Sequence, residues 1–149
     1  MIIVLRVVNP LNIVVMTLKI TISLGDNNQF EILDKRSLDT LNPKELMLYA
    51  VAECAGLTIV HILKEHASAL STLEISVEGR LSTPTLVAES RFLHFNIIYN
   101  AQCPTLKDQL VISRAVNLAH DKYCGLVQMY RQIAPLMHET SIVSTEEQA

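Results

Sequence analysis

The sequence predicts an α+β fold in the order β-β-α-β-β-α-β, and three observations predict it. Apolar and polar residues alternate in several short runs, which is the period of a half-buried strand. Two stretches open with helix-capping residues and then stay apolar or amphipathic for several turns. Four of the five prolines fall where these runs begin or end.

Taken in order, Leu18, Ile20, Ile22 and Leu24 alternate with Thr17, Lys19, Thr21 and Ser23 in a first strand. Gly25-Asp26-Asn27-Asn28 is turn chemistry, and Phe30 and Ile32 begin the return strand. Asn42 is a helix cap with Pro43 at the first helical position, and the helix is expected to run to about His66. Leu73, Ile75, Val77 and Leu81 form one strand face, Thr83-Pro84-Thr85 turns the chain, and Leu93, Phe95, Ile97 and Tyr99 form the facing strand. Cys103-Pro104-Thr105 breaks that pattern, and Thr105 with Asp108 fits a capping box. The second helix should reach Ile133 with a break near Gly125, stop at Pro135, and give way to a short strand over Leu136–Val143. One domain over residues 16–143 is expected, with an extension at 1–15 and a frayed tail at 144–149.

The composition narrows the function classes. With 149 residues the chain can bury a core, and half of them are hydrophobic. A net charge of −3 gives no electrostatic reason for nucleic acid or an anionic membrane as a partner. The three cysteines are odd in number and scattered, without a CxxC pair, which speaks against a disulfide-stapled secreted domain and a structural zinc site. A cytoplasmic protein without a resident cofactor or metal is expected. Asn9, Pro10 and Asn12 interrupt the apolar start, which therefore does not read as a signal peptide. The apolar stretch Leu46–Leu63 approaches a membrane span in length but contains Glu53 and His61, so a buried helix is the reading. This helix is apolar around most of its circumference, and one sheet face covers only one side. A second helix and a second subunit are expected to cover the rest.

Cys54 and Cys124 fall near the middles of the two helices, and Gly56 and Gly125 lie beside them. A helical glycine costs about 1 kcal/mol relative to alanine, commonly in exchange for a close backbone approach. The glycines therefore suggest that the helices cross near the cysteines, although Gly56 is rotated away from Cys54. From the residues alone the pair reads first as small core side chains. Approaching sulfurs would instead allow peroxide attack by one thiolate and disulfide closure by the other.

Asn42-Pro43-Lys44-Glu45-Leu46 leading to Ala52-Glu53-Cys54 resembles the first motif of the OsmC/Ohr family. Ser113-Arg114-Ala115-Val116-Asn117-Leu118 leading to Lys122-Tyr123-Cys124 resembles the second. The wording is most similar to the YhfA-like branch, and the resemblance extends from Met16 to Val143. It implies an OsmC-like fold of antiparallel sheets with two central helices, in an interlocked homodimer. It also implies a peroxidatic role for Cys54, a resolving role for Cys124, and reduction of organic hydroperoxides. Recycling would fall to a dithiol reductant such as a lipoylated protein. A non-peroxidatic dimer that binds a small apolar ligand or senses redox state is the alternative.

Two departures from the family pattern bear on that choice. No arginine lies between Arg6 and Arg36 to match the family arginine, and Lys44 stands where Ohr-type members carry glutamate. Glu45 fits the YhfA-like pattern as a third candidate, but on a straight helix it lies about 13 Å along the axis from Cys54 and on the opposite side. Its alternative role is that of a carboxylate at a helix N-terminus. Glu53 would raise the pKa of the adjacent thiol, His61 lies two turns beyond Cys54, and His120 lies one turn before Cys124. Cys103 reads as an ordinary loop cysteine, though a helix N-terminus can lower a thiol pKa. Because regular alternation begins only at Met16, translation is expected to start there. Finding Met1 at the N-terminus of the native protein by sequencing would refute this.

Overall fold

The computed structural model describes residues 3–8 and 13–146. Strands β1 (Ile3–Val8), β2 (Ile13–Leu24) and β3 (Phe30–Ile32) precede helix α1 (Pro43–Ile62). Strands β4 (Thr72–Leu81) and β5 (Phe92–Cys103) then lead into helices α2 (Leu106–Leu118) and α3 (Gly125–Arg131), and β6 (Leu136–Ser144) closes the chain path. A single six-stranded sheet has the order β1-β2-β4-β5-β6, with β3 paired to β2.

Two expectations are corrected at once. The sheet is mixed, because β6 runs parallel to β5. The helical segment between them carries the chain back to the starting end of β5, as a crossover connection must. The strand expected from Met16 also begins earlier, at Ile13, and residues 3–8 form a strand that pairs antiparallel with it. The predicted breaks at Asn9, Pro10 and Asn12 lie outside the described residues, as do the last three residues of the tail. Ser144 belongs to β6, and the Glu146 carboxylate accepts from the Leu106 N–H at 3.0 Å, so the beginning of the predicted tail caps α2.

Helix α1 is fixed at its start by local chemistry. The Asn42 side chain accepts from the N–H groups of Lys44 and Glu45 at 3.0 and 2.9 Å, and the Glu45 carboxylate returns to Asn42. The helix ends at Ile62, not at His66; residues 64–69 wind more tightly, with His66 off helical geometry. That segment brings Leu63 and Ala69 into the core. Leu48, Val51, Ala52, Ala55 and Ile59 form the buried face, which rests on Leu18, Ile20, Leu73, Ile75 and the other inward residues of the sheet.

The facing strand needs a correction of phase. The register of β4 on β5 shifts between Arg80 and Leu81, which pair with His94 and Phe92, so Leu93 is bulged out of the ladder. Phe92 therefore points inward and Leu93 is exposed, although simple alternation placed Leu93 with Phe95 and Ile97. Cys103, expected in a loop, is the buried last residue of β5.

Gly56 has a different use from the one expected. A Cβ there would meet the ring of Phe30 at 2.5 Å, whereas a Cβ at Gly125 would meet nothing within 4 Å. The small residue thus admits an aromatic side chain from β3, and neither glycine brings the helices together. Gly56→Val should destabilise the fold by about 1–3 kcal/mol, and pairing it with Phe30→Leu should recover part of that loss in denaturant unfolding.

Candidate redox site

Cys54 faces away from the sheet, on the side of α1 that the core leaves open, and is half-buried. It lies in a groove of about 1000 Å³ whose lining includes Leu46, Tyr49, Leu57, Ile62 and Tyr123. Glu53 and His61 add the polar groups on the same wall. Cys124 is fully buried behind it. The two sulfurs stand 3.3 Å apart, with the Cys124 thiol donating to Cys54. A disulfide bond is about 2.05 Å long, so only a small approach separates the thiols from closure.

The path from α2 into α3 explains why Cys124 is there. Residues 119–123 form a widened turn in which the Cys124 N–H bonds to the Ala119 carbonyl at 2.9 Å, one residue further back than in an α-helix. The His120 carbonyl, which would have been its α-helical partner, accepts instead from Gln128 and Arg131 at 2.9 and 3.0 Å. Cys124 itself leaves helical geometry at ψ 104° and caps the start of α3. Tyr130 then ties α3 to α1 by donating to the Met47 carbonyl at 2.7 Å.

The two thiols differ in environment. Burial pushes the Cys124 thiol up to about 12 and outweighs the favourable N–H groups of Val127 and Leu126, while its bond to Cys54 acts in the same direction as burial. Cys124 is therefore protonated at neutral pH and is suited to donate its hydrogen. Cys54 is the sulfur that the groove presents to a ligand. In the groove, burial and the Glu53 carboxylate together push the Tyr49 phenol up to about 12.

The other sequence-predicted residues have separate places. Glu45 is buried, closes the cap on Asn42 and pairs with Arg36 at 2.8 Å. Arg36 also meets Asp34 at 2.7 Å. Lys44 donates to the carbonyls of Val87 and Ala88. His61 shares the groove with Cys54, but His120 turns inward, with Nδ1 2.8 Å from the Tyr99 hydroxyl and its ring 3.9 Å from that of His138. Cys103 donates to the Thr105 and Val143 carbonyls, and burial raises its pKa rather than the helix N-terminus lowering it.

Sequence reading missed Tyr130, Tyr99 and Arg36 as parts of this framework. Tyrosine at these positions carries no local pattern that separates it from other core residues, and the Arg36–Glu45 pairing depends on how the loop folds. Among the described residues no group of three or more histidine, cysteine or carboxylate side chains is gathered to hold a metal.

His120 supplies a pH signature. Its pKa is lowered to about 4, first by burial and then by His138 and Arg131, against about 6.5 for a free histidine. The unfolded chain thus binds a proton that the folded chain refuses as pH falls from about 6.5 to 4. Stability should drop over that window by up to about 3 kcal/mol and level off below it. His120→Gln should flatten the drop in denaturant titrations run at several pH values.

Comparison with known proteins bears on the fold and the family. The family model described as "OsmC-like protein" matches residues 34–139. "Protein YhfA" of Escherichia coli K12 is 29% identical over 105 residues, covering 69% of this chain and 74% of that protein. A crystal structure of a hypothetical protein from Aquifex aeolicus VF5 superposes with a TM-score of 0.53 at 22% identity, over 87% of this chain and 98% of the other. The OsmC-like protein of Mycoplasma pneumoniae gives 0.53 at 14% identity, over 87% and 95%. These two likenesses concern the fold; the family match covers both cysteines, and the chain belongs to the OsmC-like protein family.

Proposed function

We propose that this protein is a thiol-dependent peroxidase that reduces organic hydroperoxides, with Cys54 attacking and Cys124 resolving. The observation that carries the reading is the 3.3 Å approach of an accessible sulfur and a buried one at an apolar groove. The Cys54 thiol ionises, its thiolate attacks the distal oxygen of the hydroperoxide, and the O–O bond breaks. The alkoxide takes up a proton equivalent to the one the thiol released and departs as an alcohol, leaving Cys54 as a sulfenic acid. Cys124 then attacks the Cys54 sulfur; the S–S bond forms, and the sulfenic hydroxyl leaves with the thiol proton as water. A dithiol exchanges with the disulfide, is itself oxidised to a disulfide, and restores both thiols. A lipoylated protein in the cytoplasm fits the reductant that the family resemblance implies.

The groove also supports the dimer in this reading. The outer side of α1, with Leu46 and Leu57 exposed, is apolar where a globular chain alone would be polar. A second copy laid against part of it would complete the walls around Cys54. One observation favours the alternative, a dimer that binds an apolar ligand or senses redox state without turnover. Arg36 is already held by Glu45 and Asp34, and among the described residues no arginine or lysine lines the groove to favour the Cys54 thiolate.

Hydroperoxide turnover with a dithiol reductant separates the two readings. The wild type should turn over, Cys54→Ser should lose activity by at least about 100-fold, and Cys124→Ser should accumulate a sulfenic acid that dimedone traps. Absence of turnover across several peroxides and dithiols would leave the ligand-binding reading standing. Failure of oxidant to join Cys54 to Cys124 would remove the two-cysteine cycle.

A further inference from the structure

The groove that presents Cys54 is apolar along most of its length but carries on its wall the carboxylate of Glu53, the residue before the reactive cysteine. Glu53 is half-buried and lines the groove together with Cys54. It lies close enough to Tyr49, one turn back on the same helix, to raise that phenol's pKa. Among the described residues, none of the nearby lysines and arginines lines the cavity. Arg36 is engaged by Glu45 and Asp34, and Lys44 by two backbone carbonyls. Lys122 sits 5.0 Å from the centroid of the Tyr123 ring and is not part of the lining. Among the described residues, His61 supplies the ionisable nitrogen on the wall. The space a ligand must cross to reach Cys54 therefore has an apolar surface with a carboxylate on its wall.

We propose that Glu53 is a specificity-determining residue that makes the groove charge-selective. Cys54 then reacts with uncharged or cationic apolar peroxides in preference to those bearing a carboxylate. The substrate class rests on the peroxidase reading above, whereas the charge selection belongs to the groove itself. An anionic ligand brings a second negative charge into a partly desolvated space, where Coulomb repulsion is stronger than in water and less screened by salt. A neutral ligand of the same shape loses nothing to Glu53, and a cationic one is attracted.

The test uses three methanethiosulfonates of similar size, one uncharged, one carrying a sulfonate and one a trimethylammonium group. They are applied to the full chain with Cys124→Ser present so that the Cys54 adduct persists, and labelling at Cys54 is followed by mass spectrometry. The sulfonate reagent should be slower than the cationic one by about three- to tenfold after correction for reaction with a free thiol, and the ratio should shrink as salt is raised. Glu53→Gln should bring the ratio close to one. Any change that this substitution makes in the thiolate fraction of Cys54 acts on all three reagents alike and cancels in the ratio.

For turnover with Cys124 intact, cumene hydroperoxide should be preferred over a carboxylate-bearing fatty acid hydroperoxide, and Glu53→Gln should narrow the gap in kcat/KM. Equal labelling by anionic and cationic reagents at low salt in the Glu53-containing protein would overturn the proposal without recourse to Glu53→Gln. So would a ratio that Glu53→Gln leaves unchanged. Charge-selective labelling in a protein that turns over no peroxide would overturn the peroxidase reading and leave the selectivity of the groove intact.

Discussion

The packing of α1 on the sheet is the constraint on which the rest of the molecule depends. Leu48, Val51, Ala52, Ala55 and Ile59 are all fully buried, and their spacing uses up one side of the helix. Residues rotated away from that side have nowhere to go but outward. Cys54 lies between two alanines of the buried row and is turned toward the groove by the same geometry that buries them. Small side chains at Ala52 and Ala55 let the helix lie close to the strands. The position of the sulfur is thus a consequence of core packing, with no need for a loop to hold it.

The second half of the site depends on a departure from regular structure. Cys124 approaches Cys54 because the helix widens over residues 119–123 and then breaks, and side chains from α3 take up the carbonyl that this frees. Tyr130 fastens α3 to α1 close to the site. One cysteine is therefore placed by a regular helix and the other by a controlled irregularity. Burial follows the same division, leaving one thiol accessible and the other protonated.

Much of this was legible from local chemistry. Asn42-Pro43 and Thr105 with Asp108 marked both helix starts because capping needs only neighbouring residues. The helix break beside Gly125 was visible, but its cause was not, since a widened turn follows from hydrogen bonds made several residues later. Alternation located β4 and β5 and then misplaced Leu93, because a bulge changes the phase without leaving a proline or glycine at the spot. The parallel pairing of β6 and the burial of Cys103 are long-range outcomes that period alone does not encode. The two cysteines were identified from motif wording. Their contact depended on three-dimensional structure, and the glycines offered as its reason prove to serve another purpose at Gly56 and none that the neighbouring atoms show at Gly125.

The widened turn also fixes an angular relationship. In an α-helix each residue advances the side-chain direction by about 100°, so the number of residues between the last core contact of α2 and Cys124 sets the bearing of its sulfur. Val116 and Ala119 are anchored in the core, which makes them the fixed reference for that bearing. Removing or adding one residue between Ala119 and Cys124 would leave the composition almost unchanged and still swing the thiol out of line with Cys54. Chain length in this short segment is therefore as much a part of the site as the identity of its cysteines, and it constrains insertions and deletions here more tightly than substitutions.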